Sequence, residues 1–145
     1  MSLTLKAIFA NLARFPGGYE RIGRTSQVRV TGIKRGVSKS TGRVRFIART
    51  QTPEKRALGF VLEKYTSNID FVTRDKVMLS CTCPDFWATW EWALAHKGAA
   101  DIQYGNGDPP DSRNPRYIAG CCKHLVKMTD SLYREGYVTK DFTLP

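Results

Sequence analysis

Apolar residues recur along this chain at two different periods, and the change of period outlines the fold. Leu5, Ile8, Phe9 and Leu12 fall at helical spacing before Pro16-Gly17-Gly18, which predicts an amphipathic helix over residues 3–14. Alternation takes over next. Val28 and Val30 alternate with Arg29 and Thr31, and Val44 and Phe46 with Arg45, so strands are expected over Gln27–Ile33 and Arg43–Arg49. Two more are expected over Leu58–Tyr65 and Lys76–Cys83. Ser38-Lys39-Ser40-Thr41-Gly42 reads as a hairpin connection, and Ser67-Asn68 and Thr73-Arg74-Asp75 as turns. Helical spacing returns in Phe86–Lys97, which Asp85 can cap and Gly98 can stop, and again through Leu125, Met128 and Leu132 before Gly136. Between them, Tyr104–Arg116 has the composition of a loop. The expected fold is α+β: an N-terminal helix, a small antiparallel sheet and a helical C-terminal part. The 145 residues suit a single domain able to bury a core, and no apolar run reaches the length of a membrane span.

Charge changes this picture because it is confined. The chain carries a net +10, and the segment Arg21–Arg56 alone holds eleven bases against one acid, Glu54; the remainder holds twelve of each sign. On the expected strands one hairpin face would be apolar and the other cationic, through Arg29, Arg43 and Arg45, with Lys34, Arg35 and Lys39 extending the field at its tip. Such a surface suits a polyanion bound through salt-sensitive phosphate contacts, with duplex DNA read without sequence preference as the main expectation. An acidic protein neighbour is the alternative partner, and a merely soluble basic face the third. Eight of the eleven bases are arginine, whose forked guanidinium suits phosphate and carboxylate.

Candidate chemistry is carried by soft ligands. Cys81 and Cys83 stand one residue apart, as do Cys122 and His124, and zinc takes thiolate and imidazole four at a time in structural sites. A full Cys3His set leaves no open position for substrate, so the expectation is one structural zinc and no enzyme. The alternating Val77, Leu79, Cys81 and Cys83 would put core and metal on one strand face, while Cys122 and His124 would enter the last helix at its first turn. Cys121 competes with Cys122, and Cys-x-His spacing favours Cys122. Disulfides and plain buried cysteines are the rival readings. The opening Met1-Ser2-Leu3-Thr4-Leu5-Lys6 has no apolar signal core, which points instead to the reducing cytosol. His96, among Ala95 and Lys97, reads as a surface histidine.

Cys81-Thr82-Cys83 followed by Cys122-Lys123-His124 resembles the SWIM-type zinc finger. Through Cys83-Pro84-Asp85-Phe86, Asn114-Pro115-Arg116 and Gly120–Leu125 it is similar to short stand-alone SWIM-type proteins of tailed bacteriophages. The resemblance covers residues 76–130. It implies a hairpin carrying the first ligand pair, packed on a helix carrying the second, and binding of DNA or proteins without catalysis. It also raises the alternative of a structural subunit of a virion or other large complex, and with it a virion location inside the host cell. The chain then divides into a basic portion (1–75), a zinc-binding portion (76–135) and a tail (136–145). The insertion 84–121 is long for the motif. Its Trp87, Trp90 and Trp92 cannot all face one small core: Phe86, Trp90 and Ala93 or Leu94 are expected inside, leaving Trp87 and Trp92 as a possible protein interface or as residues covered by the loop.

Overall fold

A computed structural model describes residues 2–145, the side chains of Tyr19 and Arg21 apart. Strand β1 (Leu3–Thr4) leads into helix α1 (Leu5–Arg14), and a short helix α2 (Gly18–Gly23) with a tight turn over Arg24–Gln27 connects to the sheet. Strands β2 (Arg29–Val37), β3 (Val44–Arg56), β4 (Gly59–Phe71) and β5 (Lys76–Cys81) follow, then helices α3 (Glu91–His96) and α4 (Lys123–Arg134). The sheet is antiparallel throughout, with order β1-β5-β4-β3-β2. This is the α+β arrangement that the two periodicities predict.

The first helix starts later than its apolar spacing suggests. Leu3 and Thr4 pair with Val77 and Lys76, and the Thr4 hydroxyl then accepts the Ala7 amide at 3.0 Å as a side-chain cap. The middle strands are longer than expected. Leu58–Tyr65 becomes the 13-residue β4, and the expected turn at Ser67-Asn68 lies inside it. Both polar side chains find partners on β5: Ser67 Oγ donates to Cys81 Sγ at 3.3 Å and Asn68 Nδ2 to Ser80 Oγ at 3.1 Å. Cross-strand bonding therefore overrides turn composition here. β5 ends at Cys81, leaving Cys83 in the following turn.

One sheet face builds the core. Phe46, Ala48, Ile69, Phe71, Val77 and Leu79 are buried against Leu5, Ile8 and Leu12 of α1 and Leu125, Met128 and Leu132 of α4. Burying side chains of this size supplies roughly 1.5–3 kcal/mol each, which is why the alternation is strict over β3. Among the described residues no helix is long and apolar enough to cross a membrane.

The helix expected over Phe86–Lys97 is present but irregular. Its first part, Phe86–Trp90, is π-helical, with the Glu91 amide bonded to the Phe86 carbonyl, and Asp85 already has helical dihedrals instead of standing outside as a cap. Asp85 works through side chains: its oxygens accept from the Thr89 hydroxyl at 3.2 Å and the Trp90 indole at 3.1 Å. Gly98 ends the segment at φ +73°, as Gly136 does after α4 at φ +80°.

Candidate metal centre

Four side chains converge where the sheet meets α4. Cys81 closes β5, Cys83 lies one turn on, Cys122 is the residue capping α4 and His124 sits in its first turn. One donor atom from each lies within 4.8 Å of all the others, and all four residues are buried. None of the four cysteines is in a disulfide.

The imidazole is oriented from behind. His124 Nε2 and Thr52 Oγ1 are 2.9 Å apart, and Thr52 is fully buried on β3. The other ring nitrogen, Nδ1, is buried with no hydrogen-bonding partner among the described residues. A buried polar atom is almost always satisfied, so an orphaned imidazole nitrogen beside three thiols fits a bound cation. Tyr65 adds a ring contact on the same imidazole, at a centroid separation of 4.8 Å.

Proton sharing among the sulfurs favours the same conclusion. Burial works against charge on Cys81, yet hydrogen bonds from the Cys122 and Cys83 thiols prevail and hold it well below the usual thiol range. Burial first, and then the neighbouring Cys81 and Cys83, pushes Cys122 well above that range. A cation bound here would replace the protons that these close-packed thiols carry. Cys121 stands apart. It is buried, its thiol is raised by burial and then by Cys81 and Asp85, and it does not join the converging donors.

The expected competition between the two adjacent cysteines is therefore resolved by geometry in favour of Cys122. The backbone before it is fixed by packing: a Cβ at Gly120 would lie 2.9 Å from the Trp90 ring and 3.3 Å from Leu12. Two buried polar residues, Glu91 and Asn114, hold the insertion in place. The Glu91 carboxylate accepts the Tyr104 and Gly105 amides at 3.2 and 2.8 Å. Asn114 donates to the Thr89 and Ile118 carbonyls at 3.0 and 2.8 Å and accepts the Ile118 amide at 2.9 Å.

A cavity of about 320 Å³ opens beside Cys83 and His124, and Arg24, Arg56, Arg113 and Lys123 line it together with Glu54 and Asp85. Lys123 pairs with Glu54 at 3.6 Å and Arg113 with Asp85 at 3.9 Å, so both carboxylates are matched.

The expected contact residues do not all share a face. Strand register puts Lys34 opposite Ile47 and Arg29 opposite Gln51 on the outward face, together with Arg45 and Arg49. Arg35 is opposite the fully buried Phe46, so it points to the core side beyond the edge of the core and leaves the cationic set. β2 runs on to Val37, past its expected end at Ile33, so Lys34 and Arg35 lie on the strand instead of at the hairpin tip, and a bulge between Val30 and Gly32 sets which of them faces outward. Lys39 and Arg43 lie exposed in the hairpin connection, and Arg45 pairs with Asp70 at 3.2 Å. Trp90 is buried as expected, and Trp87 is exposed. Trp92 is half-buried, stacked on His96 at 3.7 Å with Tyr117 of the loop at 4.7 Å.

No protein-family model, no curated protein and no solved structure matches this chain.

Proposed function

We propose that this protein is a non-catalytic, zinc-stabilised binding module that docks a basic sheet face on nucleic acid, with duplex DNA as the expected ligand. Zinc is the ion of choice because three thiolates and an imidazole in a closed tetrahedral set are its structural coordination, and such a set leaves no place for substrate. Keeping three such thiols reduced suits a reducing cytosol. Assignment to the SWIM-type fingers belongs to the same proposal and rests on the order and spacing of the ligands.

The observation that carries the reading is the outward row Arg29, Lys34, Arg45 and Arg49 on a sheet face that no helix covers among the described residues. Each phosphate neutralised by such a residue releases counterions and contributes about −0.9 to the slope of log affinity against log salt. Fluorescence anisotropy with a random-sequence duplex should therefore show binding that weakens steeply with salt. Replacing Lys34, Arg45 and Arg49 by Glu should abolish it, and an isolated protein that ignores DNA at low salt would sink the reading.

A second reading has its own observation. Trp87, Ile102 and Tyr104 are exposed apolar groups on the insertion, at 40%, 42% and 44% of their full accessibility. Aromatic anchors of this kind favour a structural subunit held in a large complex, a phage virion among the candidates, by protein contacts. Trp87→Ala should then weaken assembly in the native context while leaving DNA binding unchanged.

A further inference from the structure

We infer that the distal end of the β3–β4 hairpin is a wedge that enters the base stack of the duplex on which the basic face docks. The inference rests on the nucleic-acid reading above and adds to it a contact and a deformation of the DNA.

The hairpin outruns the rest of the sheet. β2 pairs with β3 only as far as Arg29 opposite Gln51, whereas β3 and β4 stay paired from Thr52–Glu63 to Arg56–Gly59. At about 3.4 Å per residue these five pairs make a two-stranded arm of roughly 17 Å. Pro53 fits this boundary: a residue without an amide donor is tolerated where a strand has lost one neighbour. The root of the arm is fixed to the metal centre by Thr52 against His124 and Glu54 against Lys123.

Its tip is apolar without a folding reason. Leu58 is fully exposed in the two-residue turn, and Phe60 and Leu62 retain 76% and 60% of their accessibility. Turns of this length ordinarily use Asn, Asp or Gly, and an exposed two-stranded ribbon gains nothing in water from Leu and Phe. Exposed apolar groups clustered in this way mark a contact surface.

Charge is sorted between the two faces of the arm. Register places Pro53, Lys55, Phe60, Leu62 and Lys64 outward, on the face of Arg45 and Arg49, while Glu54, Glu63 and the Glu63-bound Arg56 lie on the other face. The outward side is thus cationic and apolar together. From Arg45 to Lys55 the cations run along about 34 Å of strand, close to one turn of duplex. A row of that length tracks a phosphate backbone, and apolar side chains at its end match the wedges that unstack base steps. A lipid surface would share the anionic chemistry but needs no such row.

The test uses the zinc-loaded full chain and a short duplex labelled at both ends for energy transfer. The wild type should bend the duplex by about 20–90° and prefer a duplex with a nick or mismatch. The double variant Leu58→Ser, Phe60→Ser should still bind with the same salt dependence but lose both the bend and the preference. If that variant bends DNA like the wild type, or if the wild type binds without bending, the wedge is wrong and the basic-face reading stands. If the wild type does not bind duplex at low salt, both fall. Binding to phosphatidylserine vesicles that depends on Leu58 and Phe60, with no DNA bending, also overturns the wedge and assigns the arm to lipid.

Discussion

The end of the sheet that carries the Cys3His cluster and the hairpin arm share two strands and obey opposite rules. Around Cys81 and His124 the buried polar groups, His124 Nδ1 apart, have partners: Thr52 meets the imidazole, Ser67 a thiol, Trp90 Asp85 and Asn114 three backbone groups. A few residues further along β3 and β4, Leu58, Phe60 and Leu62 stand in solvent. Residues in the first region are explained by what folding requires. Those in the second are not, and the wedge proposed above would account for them by contact.

The largest effect that can break this comparison is removal of the zinc proposed for the cluster. Structural zinc in small finger peptides contributes about 10–16 kcal/mol of apparent binding energy, more than the roughly 5–15 kcal/mol that holds a typical domain. A strong chelator, or Cys122→Ser, should therefore remove the cooperative unfolding transition, with zinc lost by metal analysis. Cys121→Ser should keep a full complement of zinc. Hydrogen exchange should rise first in β5 and α4, and also in β1, the edge strand beside β5. If Cys121→Ser loses the metal and Cys122→Ser keeps it, the ligand set is wrong.

A smaller effect separates ligands from their support. Thr52→Val keeps the shape of a buried side chain but removes the partner of His124 Nε2. Groups that orient a ligating histidine are typically worth about 10–100-fold in metal affinity, so competition with a chromophoric chelator should show a loss in that range. Unchanged affinity would mean that packing against Tyr65 alone sets the ring.

That contrast also explains what the sequence discloses. The ligand pairs are legible because their spacing is local: one residue separates each pair, and strand parity or a helix start does the rest. Thr52 and Ser67 are invisible at that level, since Ser67 meets Cys81 through the register of β4 and β5 and Thr52 meets His124 only once α4 packs on the sheet. Ser67 even reads as a turn until its bond to Cys81 is seen. The cationic face is legible in outline from alternation, but β2 outruns its expected end at Ile33 and a bulge at Thr31 sets its parity, so Lys34 faces outward and Arg35 does not, and bulges leave no mark in periodicity. The lengths of β3 and β4 are hidden for a related reason: Pro53 and the exposed Phe60–Leu62 run break the alternation that marks their inner halves. The core around Trp90 is legible from helical spacing, whereas Glu91 and Asn114, which staple the insertion, look like surface residues in sequence.

The smallest expected effect on stability is the most informative about the arm. Leu58→Ser and Phe60→Ser alter side chains that touch nothing the fold needs, so each should change stability by no more than about 0.5 kcal/mol in denaturant titrations. The same hairpin supplies its own control: Phe46 is fully buried between Phe71 and Tyr137, and Phe46→Ala should lose about 3–5 kcal/mol. Two phenylalanines on one hairpin, one decisive and one silent, would place the boundary between folding and contact within β3–β4. A loss above about 1 kcal/mol at Phe60, well outside the range for surface sites, would mean that the arm packs on its own chain, and the apolar tip would then need no partner.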